Sequence, residues 1–184
     1  MGNINDRLDF SMTTIDSEAR DMLVDTLAEY PARLHELIAS AEDADLTRAG
    51  PEGSWGVVEV LCHVRDWEKI FVARVKRIMA EDDPTFESVD DSLWPIDREY
   101  HKQKPREVLE DFAEHRSKLV DVLMELNMSD WSRHGHAPRQ GRVSIGWYAE
   151  YIADHDTEHL RQIRQALRVE DVPDDDSWHK ADNS

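Results

Sequence analysis

Four stretches of the chain repeat apolar side chains every three or four positions, and this period restricts the fold more than any other feature. In residues 17–42 the stripe is Leu23, Leu27, Tyr30, Leu34, Ile38 and Ala41. In residues 57–80 it is Val60, Val64, Trp67, Phe71, Val75 and Ile78. Residues 105–127 carry Val108, Phe112, His115, Leu119, Leu123 and Leu126, and residues 144–169 carry Tyr148, Ile152, His155, His159, Ile163 and Ala166. Each stripe covers one face of a helix that must be buried against others. Pro105 suits a first helical turn and Ser144 an N-cap. Pro31 implies either a kink or a fresh helix start. Alternation at period two is absent over any six residues, and there is no Asn-Gly or Asp-Gly turn, so no strand is expected. The expectation is an all-α four-helix bundle, each helix about 36 Å long.

The connections are uneven. Residues 81–104 form a link of about twenty residues with two prolines, long enough to cross the end of a bundle, so an up-down-up-down order is not forced. Residues 1–16 read as an N-terminal extension and 17–169 as the bundle. Residues 170–184 read as an acidic, mobile tail without a catalytic role.

Composition removes several functions. Forty acidic residues against 22 basic ones give a net charge of −18, which repels phosphate backbones, so no nucleic-acid partner is expected. No run of about 18 apolar residues exists to enter a membrane. The first residues lack the apolar segment of a secretory signal, and a cytoplasmic location is expected. With Cys62 as the sole cysteine, a disulfide framework within one chain and a multi-cysteine zinc site are excluded. A metal would have to rely on histidine and carboxylate ligands.

The strongest chemical signal is His155-Asp156-Thr157-Glu158-His159. Histidines at i and i+4 project from one helix face a turn apart and can converge on one ion. They share the apolar stripe, so they face the core and need partners there. A metal satisfies both; carboxylates or backbone carbonyls would also do so. His63, beside the stripe of the second helix, is a third candidate, although a lone helix histidine is more often structural. Three neutral imidazoles suit Zn²⁺, Ni²⁺ or Fe²⁺ and leave coordination positions open.

Two motifs bring in a resemblance. Residues 53–68, with Trp55, Glu59, His63, Asp66 and Glu68, resemble the first signature of the DinB/YfiT-like superfamily. The stretch His155, Asp156, His159, Leu160, Gln162 and Ile163 resembles its second, and Arg74, Trp94, Arg116, Arg133, His136 and Gly141 fall where similar members carry those residue types. The resemblance spans residues 23–167. It implies a four-helix bundle of unusual connectivity with long crossover loops. It also implies one divalent ion (Zn, Ni, Fe or Mn) held by His63, His155 and His159. Many relatives carry Trp-Ser or Trp-Thr before the second helix; here it is Trp55-Gly56, with Glu59 retained at N3.

Some members of that superfamily transfer low-molecular-weight thiols such as bacillithiol or mycothiol to electrophiles. The resemblance therefore implies a metal-dependent enzyme on a small-molecule substrate, with thiol transfer placed ahead of hydrolysis. The alternatives are a non-catalytic, stress-associated metal-binding protein, or a protein-binding module forming a homodimer through an exposed helix face.

Other residues have two readings. Residues 133–142 hold Arg133, Arg139 and Arg142 and no acid, a reversal in so acidic a chain. They are expected either to draw an anionic substrate to the metal site or to pair with nearby acids. His115 is a fourth ligand or a hydrogen-bonded core residue, and His134 and His136 could approach the ion from their loop. Asp66 shares the face of His63 and either orients a ligand imidazole or pairs with Lys69 or Arg65; Asp156 and Glu158 are weaker orienting candidates. Cys62 is a small residue at a helix contact, and Trp94 could line a pocket mouth.

Overall fold

The structure, a computed structural model, describes residues 15–169. Four long helices dominate: α1 (Ser17–Ala39), α3 (Val57–Ala80), α5 (Pro105–Glu125) and α7 (Ile145–Leu167). Short helices α2 (Asp43–Thr47), α4 (Trp94–Asp97) and α6 (Met128–Trp131) lie in the connections. The acidic tail lies outside the described residues. Among the described residues, no helix is long and apolar enough to cross a membrane.

Local chemistry sets the helix starts. The Asp16 carboxylate accepts from the Ala19 N–H at 2.9 Å, and the Ser144 hydroxyl accepts from the Trp147 N–H at 3.0 Å, satisfying donors that a helix start leaves open. At α3 the Glu59 carboxylate reaches back 2.7 Å to the Gly56 N–H. Gly56 is there for space: a Cβ would lie 2.1 Å from the Arg48 carbonyl oxygen, a backbone atom that cannot step aside. That close approach accounts for the glycine at this N-cap.

Pro31 does not start a new helix; α1 is continuous through it. Proline has no N–H, so the carbonyl four residues back, Leu27, loses its helical donor. The Arg116 guanidinium supplies one instead at 3.1 Å.

Around the bundle the order is α1, α5, α3, α7, so sequence neighbours α1 and α3 lie on a diagonal. Contacts give the directions. His63 and Arg74 of α3 meet His159 and Tyr148 of α7, so those two helices are antiparallel. Arg65 and Glu68 of α3 meet Asp111 and Arg116 of α5, so those two run parallel. Parallel neighbours need a connection that returns the length of the bundle, which is the task of the long link 81–104.

One expectation fails. Residues 134–144 form an antiparallel hairpin of β1 (His134–Ala137) and β2 (Gly141–Ser144), with Gly141 at φ +75° closing the turn. Strands of four residues are too short to display alternation. They form because β1 also has a partner on its other edge: the His136 N–H donates to Pro84 O and the Phe86 N–H to His136 O, both at 2.8 Å. The hairpin thus ties the long link to the start of α7.

The core has two apolar clusters. One gathers Leu27, Phe71, Leu119 and Ile152, the other Leu34, Leu61, Phe112 and Ile163. Between them lie the buried polar side chains His63, Glu68, Arg116, His155, Asp156 and His159. A polar layer therefore crosses the middle of the bundle, and the site is built in it.

Candidate metal centre

His155 and His159 stand one turn apart on α7 and His63 faces them from α3. One nitrogen from each of the three rings can be chosen so that all lie within 4.8 Å of one another, and all three residues are buried. The Nε2 atoms of His155 and His159 are 3.0 Å apart. Two nitrogens bound to one tetrahedral ion at about 2.05 Å each would sit about 3.3 Å apart, so the pair is close to ligating geometry without rearrangement.

The tautomer of His159 is set by Gln162. The Gln162 amide N–H donates to the Glu158 carboxylate at 3.3 Å, which leaves its oxygen to accept from His159 Nδ1–H at 3.0 Å. His159 Nε2 is then a bare lone pair aimed at the centre of the cluster. His63 Nδ1 is buried without a hydrogen-bond partner; the nearest carboxylate oxygen, of Asp91, is 3.9 Å away. In the absence of an ion a His155 Nε2–H can donate to the His159 lone pair, but His63 Nδ1 stays buried without a partner, and the three rings together form a good donor set. The residues fit a divalent ion.

All three rings are held neutral, as ligands must be. Burial, then His159, pushes His63 down to about 3. Burial lowers His159 to about 4 against the pull of Gln162 and Glu158. Burial, with His159, His63 and Arg116, sends His155 well below its ordinary value. The sign for stability follows. Between the unfolded histidine value and these depressed folded values the unfolded chain binds more protons, so stability falls as pH falls through that window. Metal-stripped protein at pH 5 should lose about 2 kcal/mol of unfolding free energy for each of His63 and His159 relative to pH 7. Urea titrations at the two pH values check this, and the same titrations on a His63→Gln variant should show the smaller loss.

Carboxylates near the ligands are otherwise engaged. Asp66 does not orient an imidazole: it is buried and accepts from Arg65 at 2.8 Å, Arg98 at 2.6 Å and the Tyr100 hydroxyl at 2.8 Å. Arg98 and Tyr100 come from the long link, so helix spacing alone does not reveal this partner set. Arg116 holds Glu68 through two bonds of 2.8 and 2.9 Å, and Asp156 through bonds of 2.5 and 3.1 Å. Burial opposes the Arg116 charge, but Asp156 and Glu68 outweigh it and raise its pKa further. With Leu27 O, this guanidinium links all four long helices one layer from the histidines.

Other candidates fall elsewhere. His115 is half-buried with Nδ1 2.7 Å from Asp111 O on its own helix. His134 and His136 both face the Asp83 carboxylate, at 3.3 and 3.1 Å. Cys62 is buried and its thiol is pushed up to about 12 by that burial, which suits packing and not nucleophilic attack. The three hairpin arginines separate. Arg133 donates to the carbonyls of Ile78, Met79 and Glu81 and so caps the end of α3; its position is a structural one. Arg142 lies 3.0 Å from His134 Nδ1 on the exposed side of the hairpin. Arg139, unlike the other two, lines the cavity next to the hairpin turn.

That cavity, of about 200 Å³, opens between α3, α7, the long link and the hairpin turn. Tyr151 and Phe71 form part of its wall, and their rings lie 6.3 and 5.8 Å from the His155 ring. Asp91 lines it too and accepts from the Trp67 indole N–H at 2.9 Å. Trp94 does not border it, being buried against Trp67 under the Arg98 guanidinium. Asp91 and Gln162 are the residues that a reading by helix face misses as site components: one sits on an irregular link, the other acts through an amide orientation.

Comparison with known proteins identifies the chain's family and fold. The family model described as "DinB superfamily" matches residues 26–163. A Halalkalibacterium halodurans protein named "Putative metal-dependent hydrolase" is 28% identical over 148 residues, covering 79% of this chain and 85% of that protein. An Oceanobacillus iheyensis protein of the same name is 26% identical over 140 residues, covering 75% and 79%. The solved structure of YfiT from Bacillus subtilis, titled as "a probable metal-dependent hydrolase with an unusual four-helix bundle topology", superposes with a TM-score of 0.79. It is 21% identical, and the match covers 86% of this chain and 91% of that one.

Proposed function

Because the chain belongs to the DinB superfamily, we propose that it is a metal-dependent enzyme that acts on a small molecule through one ion held by His63, His155 and His159. The observation that carries this reading is the buried, neutral three-histidine cluster that borders a cavity through Asp91, Phe71 and Tyr151. A purely structural metal site has no need of an adjoining cavity, whereas a reacting ion does. When bound, a divalent ion supplies Lewis acidity and a nucleophile that is deprotonated at neutral pH.

Hydrolysis is the first reading of the reaction. The cavity has room for one ligand of modest size, and the relatives bear hydrolase names. The chain's own residues bind and orient: Gln162 holds the His159 ring, and the aromatic wall excludes water from the ligand. Thiol transfer to an electrophile is the second reading, favoured by the exposed Arg139 guanidinium at the cavity, which would take the carboxylate of a low-molecular-weight thiol. Of the three hairpin arginines, Arg139 alone is expected to affect KM, because Arg133 and Arg142 are directed elsewhere.

The test is a screen of protein loaded in turn with Zn²⁺, Ni²⁺, Fe²⁺ or Mn²⁺. One arm offers small esters, amides and lactones; the other offers thiols with an electrophile. Turnover that chelation abolishes and one of the metals restores supports the proposal, and the responding arm assigns the nucleophile. Turnover unchanged by complete metal removal would sink it.

A further inference from the structure

The lining of the cavity specifies its ligand more narrowly than the reaction does. Trp147 and Tyr151 stack with ring centroids 5.0 Å apart and planes 18° apart, and Trp67 and Phe71 stack at 5.6 Å and 27°. All four line the cavity, so its wall is largely aromatic. Its charged members are Arg74, Arg139 and Asp91, two cations against one anion in a chain of net charge −18. The three come from different elements, Arg74 from α3, Arg139 from the hairpin turn and Asp91 from the long link. Arg74 lies by the Tyr148 hydroxyl at 3.4 Å and Glu87 O at 3.1 Å, whereas Asp91 is held by Trp67 beside His63. The volume of about 200 Å³ exceeds the roughly 150 Å³ that accommodates benzene.

Resting on the metal-site reading above, we propose that the cavity takes a planar organic acid about the size of one ring. Its acidic group is bound by Arg139, with Arg74 beside it, and its other end faces Asp91 and the three histidines. An aromatic lining favours a flat, apolar-bodied ligand, and an arginine fork recognises a carboxylate in its plane. A ring between these walls keeps the acid at the cationic side and leaves the opposite edge of the ligand toward the metal centre.

The experiment titrates benzoate and phenylacetate into the full-length protein and follows tryptophan fluorescence and heat. Benzyl alcohol and benzylamine serve as neutral and cationic controls. Dissociation constants of about 0.1–1 mM are expected for the acids. Binding of the controls should be weaker by about tenfold or more, the worth of one charge-assisted hydrogen bond. Arg139→Ala should weaken the acids by a similar factor and leave the controls unchanged, and Arg139→Lys should restore part of the loss. Arg139 is exposed, so these variants are expected to fold. Each titration is repeated on metal-stripped protein. Acid binding that survives stripping and depends on Arg139 supports the cavity assignment whatever becomes of the metal reading. Acid binding only to loaded protein, insensitive to Arg139→Ala, would place the carboxylate on the ion and overturn it. Equal affinity for acids and controls, or no binding by any probe, overturns it as well.

Discussion

His155→Ala is expected to take the metal content from about one divalent ion per chain to nearly none. A mononuclear centre of three histidines has no spare protein ligand to lose. The His155 ring stacks with Tyr151, meets Phe71 edge-on, and forms a triangle with His63 and His159, with centroids 5.5 and 4.2 Å from theirs, which are 4.8 Å apart. Its removal leaves two donors on different helices and an apolar gap beside them. Plasma mass spectrometry on untagged wild type and variant reads the stoichiometry, with circular dichroism to establish that the variant folds. Gln162→Ala should be milder, lowering metal affinity by about 10–100-fold, because it frees the His159 ring without deleting a ligand. A wild type that takes up none of the four metals, or a His155→Ala variant that keeps a full complement, ends the metal reading. The histidines would then be a neutral core cluster.

The second large effect is on stability. Arg116→Met should destabilise the protein by about 3–5 kcal/mol, because it leaves Glu68 and Asp156 buried without a cation. It also strips Leu27 O of the donor that replaces the missing proline N–H. The informative comparison is the triple variant Glu68→Leu, Arg116→Met, Asp156→Leu. Removing every charge together avoids the unpaired groups, so the triple variant should recover most of the loss. Chemical denaturation of the single and triple variants decides it. A single variant within about 1 kcal/mol of wild type would show that the network is solvated and contributes little.

Most of the fold is legible along the chain. A helix reports its buried face through a local period, and Leu27, Leu34, Phe71, Phe112 and Ile163 lie in the core as their spacing implies. His155 and His159 are legible for the same reason, since a four-residue spacing on an apolar stripe places two rings side by side facing inward. His63 flanks its stripe and becomes convincing only beside the other two. The hairpin is not legible, because its four-residue strands depend on Pro84 and Phe86, roughly fifty residues upstream. The readings for Arg133 and Asp66 illustrate the same limit. A charged side chain's partner depends on which loop passes over it, and Arg133 meets the end of α3 while Asp66 meets Arg98 and Tyr100.

By itself, the sequence determined four amphipathic helices, their buried faces and the convergence of two histidines on one of those faces. These are properties of a short repeat, set by backbone geometry within a turn or two. Tertiary structure alone decided that α1 and α3 lie diagonally, that α3 and α5 run parallel, and that the third histidine completes the cluster beside an aromatic cavity. It also decided that one hairpin arginine faces that cavity while another caps a helix. Those outcomes depend on contacts between residues dozens of positions apart, which no local period encodes.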